Sequence, residues 1–240
     1  MARAILPREL TEDLAYLMGF ILADGYLKDE NKLLSTNRYP EYSICLYDNS
    51  KEFLEYAQNL FKKLFNVKAN LYFAKDKKGS WYVLRCASKP VHRFFSAVLK
   101  IQQGNKTGKI DVPMLIKKSS MNLKKAFIAG FFDGEVGIGI SIKNPWLEIN
   151  QLSIPGDKPA HILLWCQKEL KEMNIILHGP TLMHHGSWRL RTASKKVIDK
   201  FYETIPLRHM DKIKACEEIK RFSYANQNRY RSALSAEYKK

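Results

Sequence analysis

The chain repeats itself, and the repeat limits its fold more than any other feature. Tyr82-Val-Leu-Arg-Cys-Ala-Ser-Lys-Pro-Val returns 106 positions later as Trp188-Arg-Leu-Arg-Thr-Ala-Ser-Lys-Lys-Val, with seven of ten positions alike in type or identity. Upstream, Ala15-Tyr-Leu-Met-Gly-Phe-Ile-Leu-Ala-Asp-Gly returns 111 positions later as Ala126-Phe-Ile-Ala-Gly-Phe-Phe-Asp-Gly-Glu-Val. The two similarities fall in the same order, so the chain is a tandem duplication of one structural unit.

Periodicity and punctuation give each unit the same order of elements. A helix capped by Thr11, with Glu12 and Asp13 in the first turn where the helix dipole favours acids, runs to about Ala23; its copy begins near Asn122. Alternating segments over Tyr26 to Lys28, Tyr42 to Tyr47, Ile138 to Lys143 and Trp146 to Gln151 read as strands. Helices follow over Lys51 to Phe65 and Lys158 to Met173, then hairpins around Lys77-Lys-Gly-Ser and His184-His-Gly-Ser. A shorter helix closes each unit, near Val91 to Leu99 or Val197 to Tyr202. The expectation is an α+β protein of two pseudo-symmetric αββαββα halves with mainly antiparallel sheets. The halves cover 1–100 and 121–240, with a polar, glycine-containing linker over 101–120. A Lys- and Arg-rich helix is expected at the C-terminus, from Arg208 to Arg229.

Charge points to the partner. The net charge is +16, and residues 1–120 and 121–240 each hold half of the 40 basic and half of the 24 acidic residues. So even a spread suggests that the whole body faces a polyanion, nucleic acid first. Cys45, Cys86, Cys166 and Cys216 lie far apart without a CxxC pair, which indicates neither a zinc site nor a disulfide framework. The N-terminus has no apolar stretch of signal-peptide length and no run could span a bilayer, so a soluble, intracellular protein is expected.

Each first helix carries small residues at i, i+4 and i+8: Ala15, Gly19 and Ala23, then Ala126, Gly130 and Gly134. Helical glycine costs roughly 0.5–1 kcal/mol relative to alanine, so its use at matching positions implies close packing of the two helices. An acid follows each stripe, Asp24 in one copy and Glu135 in the other. Both would sit at the wrong end of a helix dipole and repel each other, and magnesium, which favours carboxylate, carbonyl and phosphate oxygens, is the natural offset.

Leu17-Met-Gly-Phe-Ile-Leu-Ala-Asp-Gly and Ile128-Ala-Gly-Phe-Phe-Asp-Gly-Glu-Val both resemble the LAGLIDADG motif of homing endonucleases, in its monomeric two-motif form. The resemblance implies motif helices packed at the centre of the molecule and a sheet of each half in the DNA major groove. It implies metal held by Asp24 and Glu135, with the carbonyls of Ala23 and Gly134 as auxiliary ligands. It implies a site-specific double-strand endonuclease that uses Mg2+ or Mn2+ and leaves short 3′ overhangs, with Ca2+ binding without supporting cleavage. The alternative is an RNA maturase, with intron RNA as partner, or a cleavage-impaired DNA-binding protein. Where the family keeps glycine after the acid, the second copy has Val136; valine tolerates positive φ poorly, so Gly137 is expected to take the bend or this half to be distorted.

Strand alternation turns Arg85, Arg189 and Arg191 to the open face as base readers, with Lys28, Ser141 and Lys143 beside them. Lys75, Lys77, Lys78, His184 and His185 at hairpin tips suit phosphates, and Arg38 joins the DNA-binding set. Lys89 and Lys195, from the repeated Ala-Ser-Lys, are the candidates for a basic catalytic pocket. Gln151 is a candidate for water positioning, with no like residue at Leu46 or Tyr47 in the first copy.

Overall fold

The computed structural model describes residues 3–29, 41–77, 79–106, 110–141, 144–152 and 158–222. Two helices form its centre, α1 (Glu12–Ala23) and α5 (Met121–Glu135). Thr11 caps α1 by accepting the Leu14 N–H at 3.2 Å. Every residue of α1 from Leu14 to Ala23 is buried, as expected of a helix that is apolar all round.

The two glycines explain how the helices fit. A Cβ on Gly19 would overlap the Phe127 carbonyl oxygen, and one on Gly130 would overlap that of Tyr16. Backbone therefore lies against backbone, and the small-residue stripe is the contact itself.

Each half adds a four-stranded antiparallel sheet. β1 (Gly25–Leu27), β2 (Ser43–Asp48), β3 (Asn70–Asp76) and β4 (Gly79–Ala87) are ordered β1-β2-β4-β3. β5 (Val136–Ile140), β6 (Pro145–Leu152), β7 (His178–Leu182) and β8 (Ser187–Thr192) repeat it as β5-β6-β8-β7. Ile44, Leu46, Leu84 and Cys86 of the first sheet, and Leu147, Ile149 and Leu190 of the second, are buried. Register places Cys45 opposite Arg85 and Glu148 opposite Arg191 on the other faces.

Helix α2 (Lys51–Phe65) packs on the first sheet, and α6 (His161–Glu172) meets α5 through Trp165 against Phe127 and β7 through Gln167, which donates to the Gly179 carbonyl at 2.8 Å. Each unit ends in a short helix, α3 (Lys89–Arg93) continued by a π-helical turn over Phe94–Val98, or α7 (Lys195–Thr204). Between the halves lies α4 (Met114–Lys117), and α8 (Met210–Arg221) is the basic C-terminal helix. All four cysteines are unpaired. Among the described residues no helix is long and apolar enough to cross a membrane.

Candidate active site between the two motif helices

Both motif helices end where their acids begin, but in different ways. Asp24 is the first residue past α1, at φ −99° and ψ 7°. Gly25 then passes so close to its own helix that a Cβ would lie 2.5 Å from the Ile21 carbonyl oxygen. Glu135 instead is the last residue of α5, and Val136 enters β5 directly at φ −78° and ψ 135°, only 5% exposed. This corrects the expectation for the second motif. Neither Val136 nor Gly137 adopts positive φ, and Gly137 lies flat in the strand beneath the Trp146 ring. Glycine after the acid answers a steric contact in the first copy, and the second copy does not make that contact.

A Cβ on Gly134 would overlap that of Ala23 and lie 3.2 Å from an Asp24 carboxylate oxygen, so the helix ends abut and bring the acids into one region. Burial and the charge of Glu135 push the Asp24 carboxyl up to about 7. Burial also raises Glu135, against a hydrogen bond from Gln151 and the nearby charges of Lys106 and Lys212. Gln151 therefore lies beside an acid. Its counterpart in the first copy lies beyond Leu46 and Tyr47: Gly25 pairs with Leu46 as Val136 pairs with Ile149, which sets Asp48 in the place of Gln151. Asp48 adds to the repulsion on Asp24.

Two lysines close the helix ends. Lys106 donates to the carbonyls of Ile21, Leu22 and Ala23 at 3.0, 2.8 and 2.8 Å. Lys212 donates to the carbonyls of Phe132, at 3.1 Å, and Asp133. The last carbonyls of a helix have no partner within it and carry the negative end of its dipole, so a cation there is favourable. Burial holds Lys106 down to about 8, against the attraction of Glu135 and Asp24. Sequence reasoning missed this pair, although Lys106 and Lys212 stand 106 apart, the offset of the repeat.

The segment that carries Lys212 is tied to both helices. Asp133, buried in α5, accepts from the Tyr16 hydroxyl of α1 at 2.6 Å and from the Arg208 and His209 backbone N–H groups at 2.7 and 3.2 Å. Arg208 reaches Asp13 at 2.8 Å and the Tyr56 hydroxyl. His209 Nε2 stands 3.4 Å from Asp48.

A cavity flanks each acid. One, of about 510 Å³, is lined by Glu135, Lys106, Asn150, Gln151, His185 and Ser187. The other, of about 430 Å³, is lined by Asp24, Asp48, Trp81, His209 and Asp211. His185, expected at a hairpin tip, thus reaches the Glu135 cavity, where its Nε2 is 2.5 Å from Ser187 Oγ.

The remaining candidates scatter. Lys89 stands 5.0 Å from the centre of the Tyr42 ring, and Lys195 pairs with Asp199 at 2.7 Å in a different cavity. Neither lines the cavities that hold the two acids. Arg85 and Lys28 share Glu41, at 2.5 and 3.0 Å, while Arg189 and Arg191 approach Glu148 at 3.5 and 3.7 Å. Lys75, Lys77 and His184 are exposed at the hairpins, and Ser141 is exposed just past β5. Arg38, Lys78 and Lys143 lie outside the described residues.

The raised Asp24 value has a measurable consequence. A carboxyl whose folded value lies above its unfolded one contributes stability that is complete below pH ~4 and is lost as pH rises through about 7. In metal-free buffer, Asp24→Asn should therefore melt with the parent at pH 4 and about 3–6 °C above it at pH 8. Equal melting at pH 8 would show that the acids do not strain the fold.

Comparison with known proteins supports the fold. Residues 11–98 match the family model of the LAGLIDADG-like domain. The homing endonuclease I-ApeI of Aeropyrum pernix is 26% identical over 214 residues, 86% of each chain. The structure of I-DmoI with DNA and Mn covers 84% of this chain and 99% of its own, at 23% identity and TM-score 0.56. DUF199/WhiA of Thermatoga maritima covers 98% of this chain and 69% of its own, at 19% identity and TM-score 0.56. A glutamine–fructose-6-phosphate aminotransferase of Methanocaldococcus jannaschii is 29% identical over 222 residues, but the chain spans only 18% of that protein's length. Over residues 11–98 the chain thus matches a LAGLIDADG-like domain, and its two-part α+β fold is similar to that of I-DmoI.

Proposed function

We propose that the protein is a site-specific endodeoxyribonuclease that cuts both strands of a long duplex and needs a divalent metal ion. The observation that carries this is the pair of acids, Asp24 and Glu135, at abutting helix ends between two sheets whose open faces present arginine. Two relatives support it: I-ApeI is named a homing endonuclease, and I-DmoI has been solved with DNA and Mn or Ca.

The donor set fits a hard cation. Two half-buried carboxylates repel each other and would hold Mg2+ through their oxygens, while the Ala23 carbonyl, which accepts from Lys106 at 2.8 Å, would join the set only if Lys106 withdrew. Bound there, the ion supplies a water of lowered pKa and neutralises charge on the phosphate. The chain's own residues supply the rest. Lys106 and Lys212 bring positive charge to the region where a pentacovalent phosphate gains negative charge, and their hydrogen bonds to the helix ends hold it there without reorganisation. Gln151 orients Glu135. Hydrolysis of one phosphodiester per strand leaves a 5′-phosphate and a 3′-hydroxyl, with short 3′ overhangs. One chain supplies both acids, so it acts as a monomer.

The test is selection of cut sites from a randomised duplex library in Mg2+ or Mn2+. A defined site should emerge, cut on both strands. A library that is bound yet uncut in both metals would leave a DNA-binding protein and sink the nuclease.

A further inference from the structure

Each open face carries an acid where an acid is costly. A chain of net charge +16 that addresses a polyanion loses affinity for every carboxylate on its contact face. Yet Glu41 lies among Lys28, Ser43 and Arg85, and Glu148 beside Arg189 and Arg191, each acid 24% exposed.

Duplication does not explain them. Arg85 and Arg191 are equivalent through the 106-residue offset, but their acids are not equivalent to each other. Glu148 stands opposite Arg191 on β6, whereas the residue opposite Arg85 on β2 is Cys45, and the first half brings Glu41 from the chain ahead of that strand. Two unrelated positions thus deliver a carboxylate to equivalent arginines. Ion pairs this exposed contribute little to folding, so stability does not account for them either.

Their surroundings hold them in place. The Glu148 stem packs over Gly137, where an added Cβ would lie 3.8 Å from its Cγ, next to the Trp146 ring. Ser43 Oγ donates to Glu41 at 2.9 Å, in addition to Lys28 and Arg85. Glu41 grips one edge of the Arg85 guanidinium at 2.5 Å, which leaves other N–H groups free and pre-orders the fork that reads guanine O6 and N7, while Glu148, 3.5 Å from Arg189 and 3.7 Å from Arg191, orders that pair through its charge. The same oxygens accept from a cytosine amino group and repel bases that present only acceptors.

Resting on the reading of these faces as DNA-contacting, we propose that Glu41 and Glu148 are specificity-determining residues. They position the arginines and set base preference where those arginines meet the duplex, at the expense of general affinity.

The experiment uses the full chain without Mg2+: a randomised duplex pool is bound, the bound fraction is sequenced, and one arbitrary duplex is titrated in parallel. The parent should enrich a defined pattern. Glu148→Gln should weaken preference about tenfold at one or two base pairs of one half-site, and Glu41→Gln should do so in the other half-site. Affinity for the arbitrary duplex should rise about two- to fivefold, and melting should be unchanged. A pattern identical to the parent's in both variants overturns the proposal. A parent that enriches nothing removes the DNA-contacting reading and the proposal with it.

Discussion

Alanine in place of Gly130 will destabilise the protein by about 3 kcal/mol or more, lowering its melting temperature by roughly 10 °C. The sign makes this informative, because on a free helix the same change stabilises by about 0.5–1 kcal/mol. Here the new methyl would overlap the Tyr16 carbonyl oxygen and come within 3.0 Å of the Phe20 nitrogen. Backbone cannot yield as a side chain tip does, so α1 and α5 must separate or tilt. Urea or thermal unfolding checks it. A variant as stable as the parent would mean that the two helices do not meet backbone to backbone, and the abutting ends built on that contact would go with it.

Glu135→Gln and Asp24→Asn should each reduce double-strand cutting at least about a thousandfold, while DNA affinity stays within about twofold. Both changes keep shape and remove charge. The Asp24 carboxyl, pushed up to about 7 by burial and the charge of Glu135, is ionised at a cost to the fold, so its charge does not serve folding. Cleavage of a plasmid that carries the selected site, beside a binding titration, separates the two effects. Linear product at the parental rate from either variant would remove that acid from the chemistry.

Much of the architecture was legible because it rests on patterns that local physics enforces. The apolar spacing of α2 marks it from Lys51 to Phe65, the span found in the structure. Paired glycines in two helices have few explanations besides contact. The basic residues of the site were harder to read. Lys89 and Lys195 stand in the better-conserved repeat, but that similarity reflects two short helices entered through Ser88 and Ser194. Lys106 and Lys212 keep the same offset among dissimilar neighbours, Gly-Asn before one and Met-Asp before the other. What they share is a docking position at a helix end, which requires the tertiary structure. The pairing of Arg85 with Glu41 was hidden for a similar reason: 44 residues separate them. Val136 was misread because the motif's glycine was given a dihedral role, when Gly25 is small to clear Ile21.

The clasp of Arg208 on Asp13 and of the Arg208 and His209 backbone on Asp133 has a consequence for synthesis. Because the ribosome releases the chain from its N-terminus, Asp24 and Asp48 emerge long before Glu135, and Lys212 emerges later still. A nascent chain therefore holds no complete centre until Lys212 has left the exit tunnel. A product truncated between Glu135 and Lys212 lacks the lysine that closes the end of α5. In such a layout, the centre that the proposed nuclease would use is assembled only once α8 has docked on the motif helices.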